Sequence, residues 1–118
     1  MPNQPFEASI REREGAAVID MRGDIDAFAD QTLAELSTTT VSSGVKTILL
    51  NFMDVGYINS TGIALIVRLL ALAQKNGIKI LTYGLNSHYM EIFEITRLAD
   101  FMTIFPDEVS AFAWLEPA

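Results

Sequence analysis

The sequence predicts an α/β fold: a mixed, mostly parallel sheet of four to five strands, an N-terminal antiparallel hairpin and about four helices. Three observations predict it. Thr47 to Phe52 is a continuous apolar run, as expected of a strand covered on both faces. Gly62 to Gln74 follows as a strongly apolar helix. Strand-like and helix-like segments then alternate to give the order β-β-α-β-α-β-α-β-α, and such alternation implies parallel strands joined by right-handed crossovers. At 118 residues the chain matches the size of one domain, and residues 1–118 read as a single domain without repeat or linker.

Taken in order, Phe6 to Arg11 alternates weakly and Ala16 to Arg22 more clearly, with Arg13-Glu14-Gly15 as the turn of a hairpin. Asp24 or Asp26 caps the first helix, whose apolar positions Phe28, Leu33 and Leu36 share one face. The Ser/Thr-rich stretch Thr38 to Gly44 ends that helix in a loop. After the strand at 47–52, Met53 to Ile58 reads as a connection. Gly77 stops the second helix. Lys79 to Tyr83 is the next strand. Asn86 or Ser87 caps a third helix, His88 to Thr96, and Leu98 to Ile104 is a short last strand. Pro106 suits the first position of a terminal helix, with Asp107 and Glu108 in its first turn, ending near Leu115.

Composition narrows the function classes. Half of the residues are hydrophobic, so the chain folds. A net charge of −7 and a pI near 4.5 argue against nucleic acid and against direct contact with an anionic membrane, and fit a partner with a basic face. Without cysteine there is no disulfide and no thiol catalysis. Met1 to Glu7 lacks the pattern of a secretory signal. Gly62 to Ala73 falls short of the ~20 residues that span a bilayer. A cytoplasmic protein is expected. His88 is the sole histidine, and no phosphate-binding glycine loop or Gly-x-Ser-x-Gly elbow occurs, so neither an enzyme nor a cofactor is expected. Asp20, Asp24, Asp26 and Asp30 match no calcium-loop spacing and read as a solvated turn and helix cap.

Asn59-Ser60-Thr61-Gly62 stands between the apolar strand and the apolar helix. Its structural reading is an N-cap plus a glycine that lets helix and sheet approach closely. Its functional reading is a phosphoacceptor, since a helix N-terminus tolerates the roughly −2 charge of a phosphate. Arg68 is the only charge between Ile63 and Ala73. A helix so apolar is either buried all round or exposed to a partner. Ile63, Ile66, Val67 and Leu70 are assigned to the core, leaving Ala64, Leu65, Arg68 and Leu72 as a docking face unless the third or fourth helix covers it.

These residues resemble the STAS domain, in particular bacterial anti-sigma factor antagonists, over nearly the whole chain. Gly23-Asp24-Ile25-Asp26 is similar to the family's Gly-Glu/Asp-Leu-Asp. Tyr57-Ile58-Asn59-Ser60-Thr61-Gly62-Ile63 resembles its apolar-x-Asp-Ser-Ser/Thr-Gly-Leu segment, with Asn59 in place of the Asp. Ile48 to Phe52, Lys79-Ile80-Leu81 and Phe93 to Leu98 resemble the central strand, the next strand and the helix-turn that follows. The resemblance implies a STAS fold and a switch at Ser60, with Thr61 as alternate acceptor. An anti-sigma factor that is also a serine kinase binds the unphosphorylated form, phosphorylation releases it, and a serine phosphatase resets the cycle. Asp24, Asp26 and Asn59 to Gly62, with Ala64, Leu65, Arg68 and Leu72, are then the partner-binding residues. The alternative is a phosphorylation-independent STAS scaffold or transporter-accessory module that docks through helix 62–74, with Ser60 as a cap.

Overall fold

The computed structural model describes residues 4–115. Strands β1 (Glu7–Arg13) and β2 (Ala16–Ile25) form the antiparallel hairpin, and its two-residue turn uses Glu14 and Gly15 at φ 50° and 84°. Positive φ at both positions matches the right-handed twist of the flanking strands. A 3-10 turn, Ala27–Ala29, leads into α1 (Asp30–Ser42). Then follow β3 (Thr47–Ile58), α2 (Ser60–Lys75), β4 (Lys79–Tyr83) and α3 (Ser87–Ile95). A second 3-10 turn, Leu98–Phe101, precedes β5 (Thr103–Phe105) and α4 (Glu108–Leu115). The sheet order is β1-β2-β3-β4-β5, with β2 to β5 mutually parallel, so the expected mixed α/β sheet is present.

Three successive crossovers advance in one direction across this sheet. With a common hand they must all lie on one face. Leu33 of α1, Leu65 to Ala73 of α2, and Tyr89 and Phe93 of α3 accordingly share one core with Ile19, Ile48, Leu50 and Phe52. The opposite face is covered by α4, where Ala111 and Phe112 pack on Val18, Leu49 and Leu81. The apolar run in β3 is thereby explained: Ile48, Leu49 and Leu50 are all inaccessible because helices cover both sides.

Several boundaries differ from the sequence expectation: β2 runs past Arg22 to Ile25, and α2 begins at Ser60 rather than Gly62. Helix α1 runs through the Ser/Thr stretch to Ser42, because the Ser37 and Thr40 hydroxyls donate to the carbonyls of Leu33 and Leu36 at 2.6 and 2.7 Å. Hydroxyls so occupied do not compete for the helix backbone. Strand β3 continues through the expected connection to Ile58, pairing with the end of β2 after register shifts. The segment from Leu98 to Ile104 begins as a 3-10 turn, entered through Arg97 at φ 67°, and only Thr103 onward is strand. Helix α4 starts after Pro106, with Asp107 accepting from the Ser110 N–H at 2.8 Å.

Polar contacts hold α4 to the hairpin. Glu108 accepts from Arg11 at 2.7 Å, Arg13 at 2.5 Å and the Tyr83 hydroxyl at 2.7 Å. Arg11 also binds Asp20, which accepts from Asn51. The Glu108 carboxyl is held down at about 2, chiefly by Arg11, with Tyr83 and Arg13 adding to it against the opposing pull of burial. Since the folded value lies below the ordinary 4.5, the stability it contributes is complete above pH 4.5 and fades as pH falls toward 2. The two arginines remain partly in water, so the net contribution is ~1–2 kcal/mol. Glu108→Gln should therefore lower the melting temperature at pH 7, and the gap to the parent should narrow at pH 3. An equal gap at both pH values would remove the carboxylate from the account.

Candidate protein-docking and modification site

The C-terminal ends of β2 and β3 meet the N-terminus of α2, and the tetrad lies at that junction. The Asn59 N–H donates to the Ile25 carbonyl at 3.2 Å, continuing the parallel pairing past the end of β3. The Asn59 side chain accepts from the Gly62 N–H at 2.8 Å and is the N-cap of α2. The cap therefore belongs to Asn59 rather than to either hydroxyl. Ser60 is left as the first helical residue, exposed, with Thr61 exposed beside it. From below, the Ile58 N–H donates to the buried Tyr89 hydroxyl at 2.8 Å, fixing the strand end to α3. Gly62 is buried, and a Cβ there would stand 2.0 Å from the Ile25 carbonyl oxygen. The helix start rests directly on β2, and Ser60 sits on a rigid mount.

Along α2 the buried positions are Gly62, Leu65, Ile66, Leu69, Leu70 and Ala73. The exposed ridge opposite is Ser60, Ala64, Val67 and Ala71, spaced three and four residues apart on one face. This corrects the sequence division of the helix. Leu65, expected on the docking face, is 6% exposed, because α1 packs on that side and Leu65 stacks one turn before Leu69. Val67, expected in the core, is 44% exposed. Leu72 is half-buried beside Leu33 at the groove between α1 and α2. Ala64 is exposed as expected. Arg68 is exposed too, and its guanidinium is engaged by Asp30 at the start of α1. Gly62 cannot face a partner, for the steric reason just given.

The four aspartates divide among separate tasks. Asp20 joins the Arg11 network on the α4 side. Asp24, half-buried, accepts from the Gln4 N–H, while its own N–H donates to the Gln4 carbonyl. Asp26 caps the 3-10 turn by accepting from the Phe28 N–H at 3.0 Å. Asp30 pairs with Arg68. No group of three or more metal-ligating side chains exists among the described residues, and no helix there is long and apolar enough to cross a membrane. His88 is exposed at the start of α3.

Three exposed apolar residues at this end were not singled out as binding residues by the sequence. Phe28, expected on the buried face of the first helix, is 87% exposed, because the 3-10 turn directs Ala29 inward in its place. Met53 and Tyr57 are exposed on the extension of β3. Tyr57 pairs in register with Asp24, one step before Ile25 and Ile58. A strand reading of residues 53–58 would have flagged them.

A family model described as STAS domain matches residues 7–111. Among curated proteins, the anti-sigma-B factor antagonist of Staphylococcus aureus (strain NCTC 8325 / PS 47) is 29% identical over 86 residues, covering 73% of this chain and 80% of that protein. The anti-sigma-B factor antagonist of Bacillus subtilis (strain 168) is 24% identical over 99 residues, covering 84% and 90%. Among solved structures, the phosphorylated form of the Bacillus cell fate determinant SpoIIAA superposes with a TM-score of 0.73 at 18% identity, over 93% of this chain and all of that one.

Proposed function

The chain belongs to the STAS domain family, and from that premise we propose that it is an anti-sigma factor antagonist, a regulatory binding protein rather than an enzyme, switched by phosphorylation of Ser60. The observation that carries this reading is the exposed Ser60 at the head of the exposed apolar ridge Ala64-Val67-Ala71, with the capping duty discharged by Asn59. The curated relatives bearing the antagonist name support it. So does the occurrence of a phosphorylated form in a protein of the same fold.

The partner is an anti-sigma factor that is also a serine kinase. It docks on the α2 ridge while Ser60 is unmodified. In the modification step the Ser60 oxygen attacks the γ-phosphorus of ATP, the bond to the β-phosphate oxygen breaks, ADP leaves, and a base of the kinase takes the hydroxyl proton. This chain contributes the hydroxyl and its position. The helix dipole and the unpaired N–H groups of the first turn of α2 accept the new charge, so the fold is preserved. A serine phosphatase reverses the step by hydrolysis. The protein then acts in the cytoplasm, where sigma factors work.

Intact mass measured after incubation with an extract of its own cells and ATP tests the acceptor. The parent should gain one phosphate, and Ser60→Ala none. Gain by Ser60→Ala would move the acceptor to Thr61. No gain by the parent, in an extract active on another substrate, would favour a constitutive docking module that uses the same ridge without modification.

A further inference from the structure

The most exposed large apolar side chain among the described residues is Phe28, at 87%. Nothing in the fold uses it: Ala29 supplies the buried contact of its turn. Its backbone is nonetheless fixed. Asp26 accepts its N–H, and the Ala29 N–H donates to the Asp26 carbonyl at 3.0 Å. The backbone that carries Phe28 is thus fixed, and the ring projects from it into solvent. The turn also belongs to the candidate site. It packs against α2. The preceding Ile25 carbonyl receives the Asn59 N–H, and the following Asp30 holds Arg68 of α2.

We infer that Phe28 is an anchor for the partner that docks at Ser60, entering an apolar cleft rimmed by basic side chains on that partner. This rests on the antagonist reading above. The choice of occupant follows from charge complementarity: Asp24 and Asp26 precede Phe28 and Asp54 is exposed on the neighbouring extension of β3, while Asp30, which follows, is already paired with Arg68. An exposed aromatic ring in an acidic segment is matched by a cleft whose floor is apolar and whose edge carries Arg or Lys. Large aromatic anchors on a fixed backbone dominate the affinity of protein interfaces, because the chain that carries them needs little ordering on binding. The carboxylates of Asp24 and Asp26 contribute mainly to the rate of encounter, which falls with added salt.

The test uses the full chain and the purified anti-sigma factor kinase of the same genome, with ADP present and Ser60 unmodified, by titration calorimetry. Phe28→Ala should weaken binding by about 10- to 100-fold, and Phe28→Trp should retain most of it. Val109→Ala, which removes another exposed apolar side chain (73%) on the opposite face of the sheet, should change nothing. Asp26→Asn keeps the cap, since Asn serves there equally well, and should slow association at low salt only. Unchanged melting of Phe28→Ala would confirm that the fold is not at issue. Binding of Phe28→Ala within twofold of the parent would overturn the anchor and leave the antagonist reading standing. Absence of binding by the parent would overturn both. Self-association of the parent that is lost in Phe28→Ala, seen by sedimentation, would overturn the inference by assigning the ring to a second copy of this chain.

Discussion

Gly62→Ala is expected to cost about 3 kcal/mol or more of stability, the scale of a misfit in a packed core that cannot relax cheaply. The added Cβ would stand 2.0 Å from the Ile25 carbonyl oxygen, 2.8 Å from its carbon and 2.9 Å from Cγ2 of Ile58. Two of these are backbone atoms of β2, held in the sheet by pairing with β3. The same carbonyl accepts the Asn59 N–H. Relief therefore means lifting the first turn of α2 away from β2, which stretches that hydrogen bond and disturbs the Asn59 cap. For a chain of this length the loss corresponds to a fall in melting temperature of roughly 10 °C or more. Gly56→Ala is the control: a Cβ there meets nothing within 4 Å, and its effect should stay within about 0.5 kcal/mol. Thermal melts of both variants decide the matter, and a Gly62→Ala protein that melts with the parent would refute the close approach. Since Ser60 is two residues away, Gly62→Ala should also reduce phosphorylation even below its melting temperature.

The parts of this fold legible in the sequence are those where burial overrides context. Ile48 to Leu50, Leu81 and the inner positions of α2 are apolar because sheet and helix cover them, and an apolar run says as much without a partner being known. The tetrad was legible for a related reason: four small or polar residues between two apolar runs mark a helix start. The face division of α2 was not legible. Whether Leu65 or Val67 lies inside depends on where α1 packs, which is tertiary information absent from the helix's own residues. The end of α1 is not legible either, because Ser37 and Thr40 turn their hydroxyls onto carbonyls one turn back. Phe28 departs from the helical period because it lies in a 3-10 turn, where the spacing of faces differs. The Glu108 clasp joins Arg11 and Glu108, 97 residues apart, and no local pattern announces a contact of that range.

Phosphorylation of Ser60 is expected to weaken the complex with the kinase by about 100- to 1,000-fold, or ~3–4 kcal/mol, while leaving the melting temperature of the free protein nearly unchanged. The two halves of this prediction have one cause. On the free protein the phosphate, carrying about −1.5 to −2 charges, sits in water at the positive end of α2, where the dipole favours it. In the complex it lies at the head of the Ala64-Val67-Ala71 ridge, and an apolar surface closing over that ridge must strip its water, while the basic rim inferred for the partner faces the carboxylates beside Phe28 rather than Ser60. Arg68, the nearest charge along α2, is already engaged by Asp30 and is not free to neutralise it. Asp24 and Asp26 in the neighbouring segment make the local potential less hospitable still. Ser60→Asp carries one charge on a shorter arm and should reproduce only part of the loss, about tenfold. Val67→Asp places a charge further along the same ridge and should weaken the unmodified complex without touching the acceptor. Calorimetric titration of the three forms against the kinase separates these effects. A phosphorylated protein that binds within threefold of the unmodified one would show that the ridge is not where the partner sits, since a dianion cannot be buried there without cost.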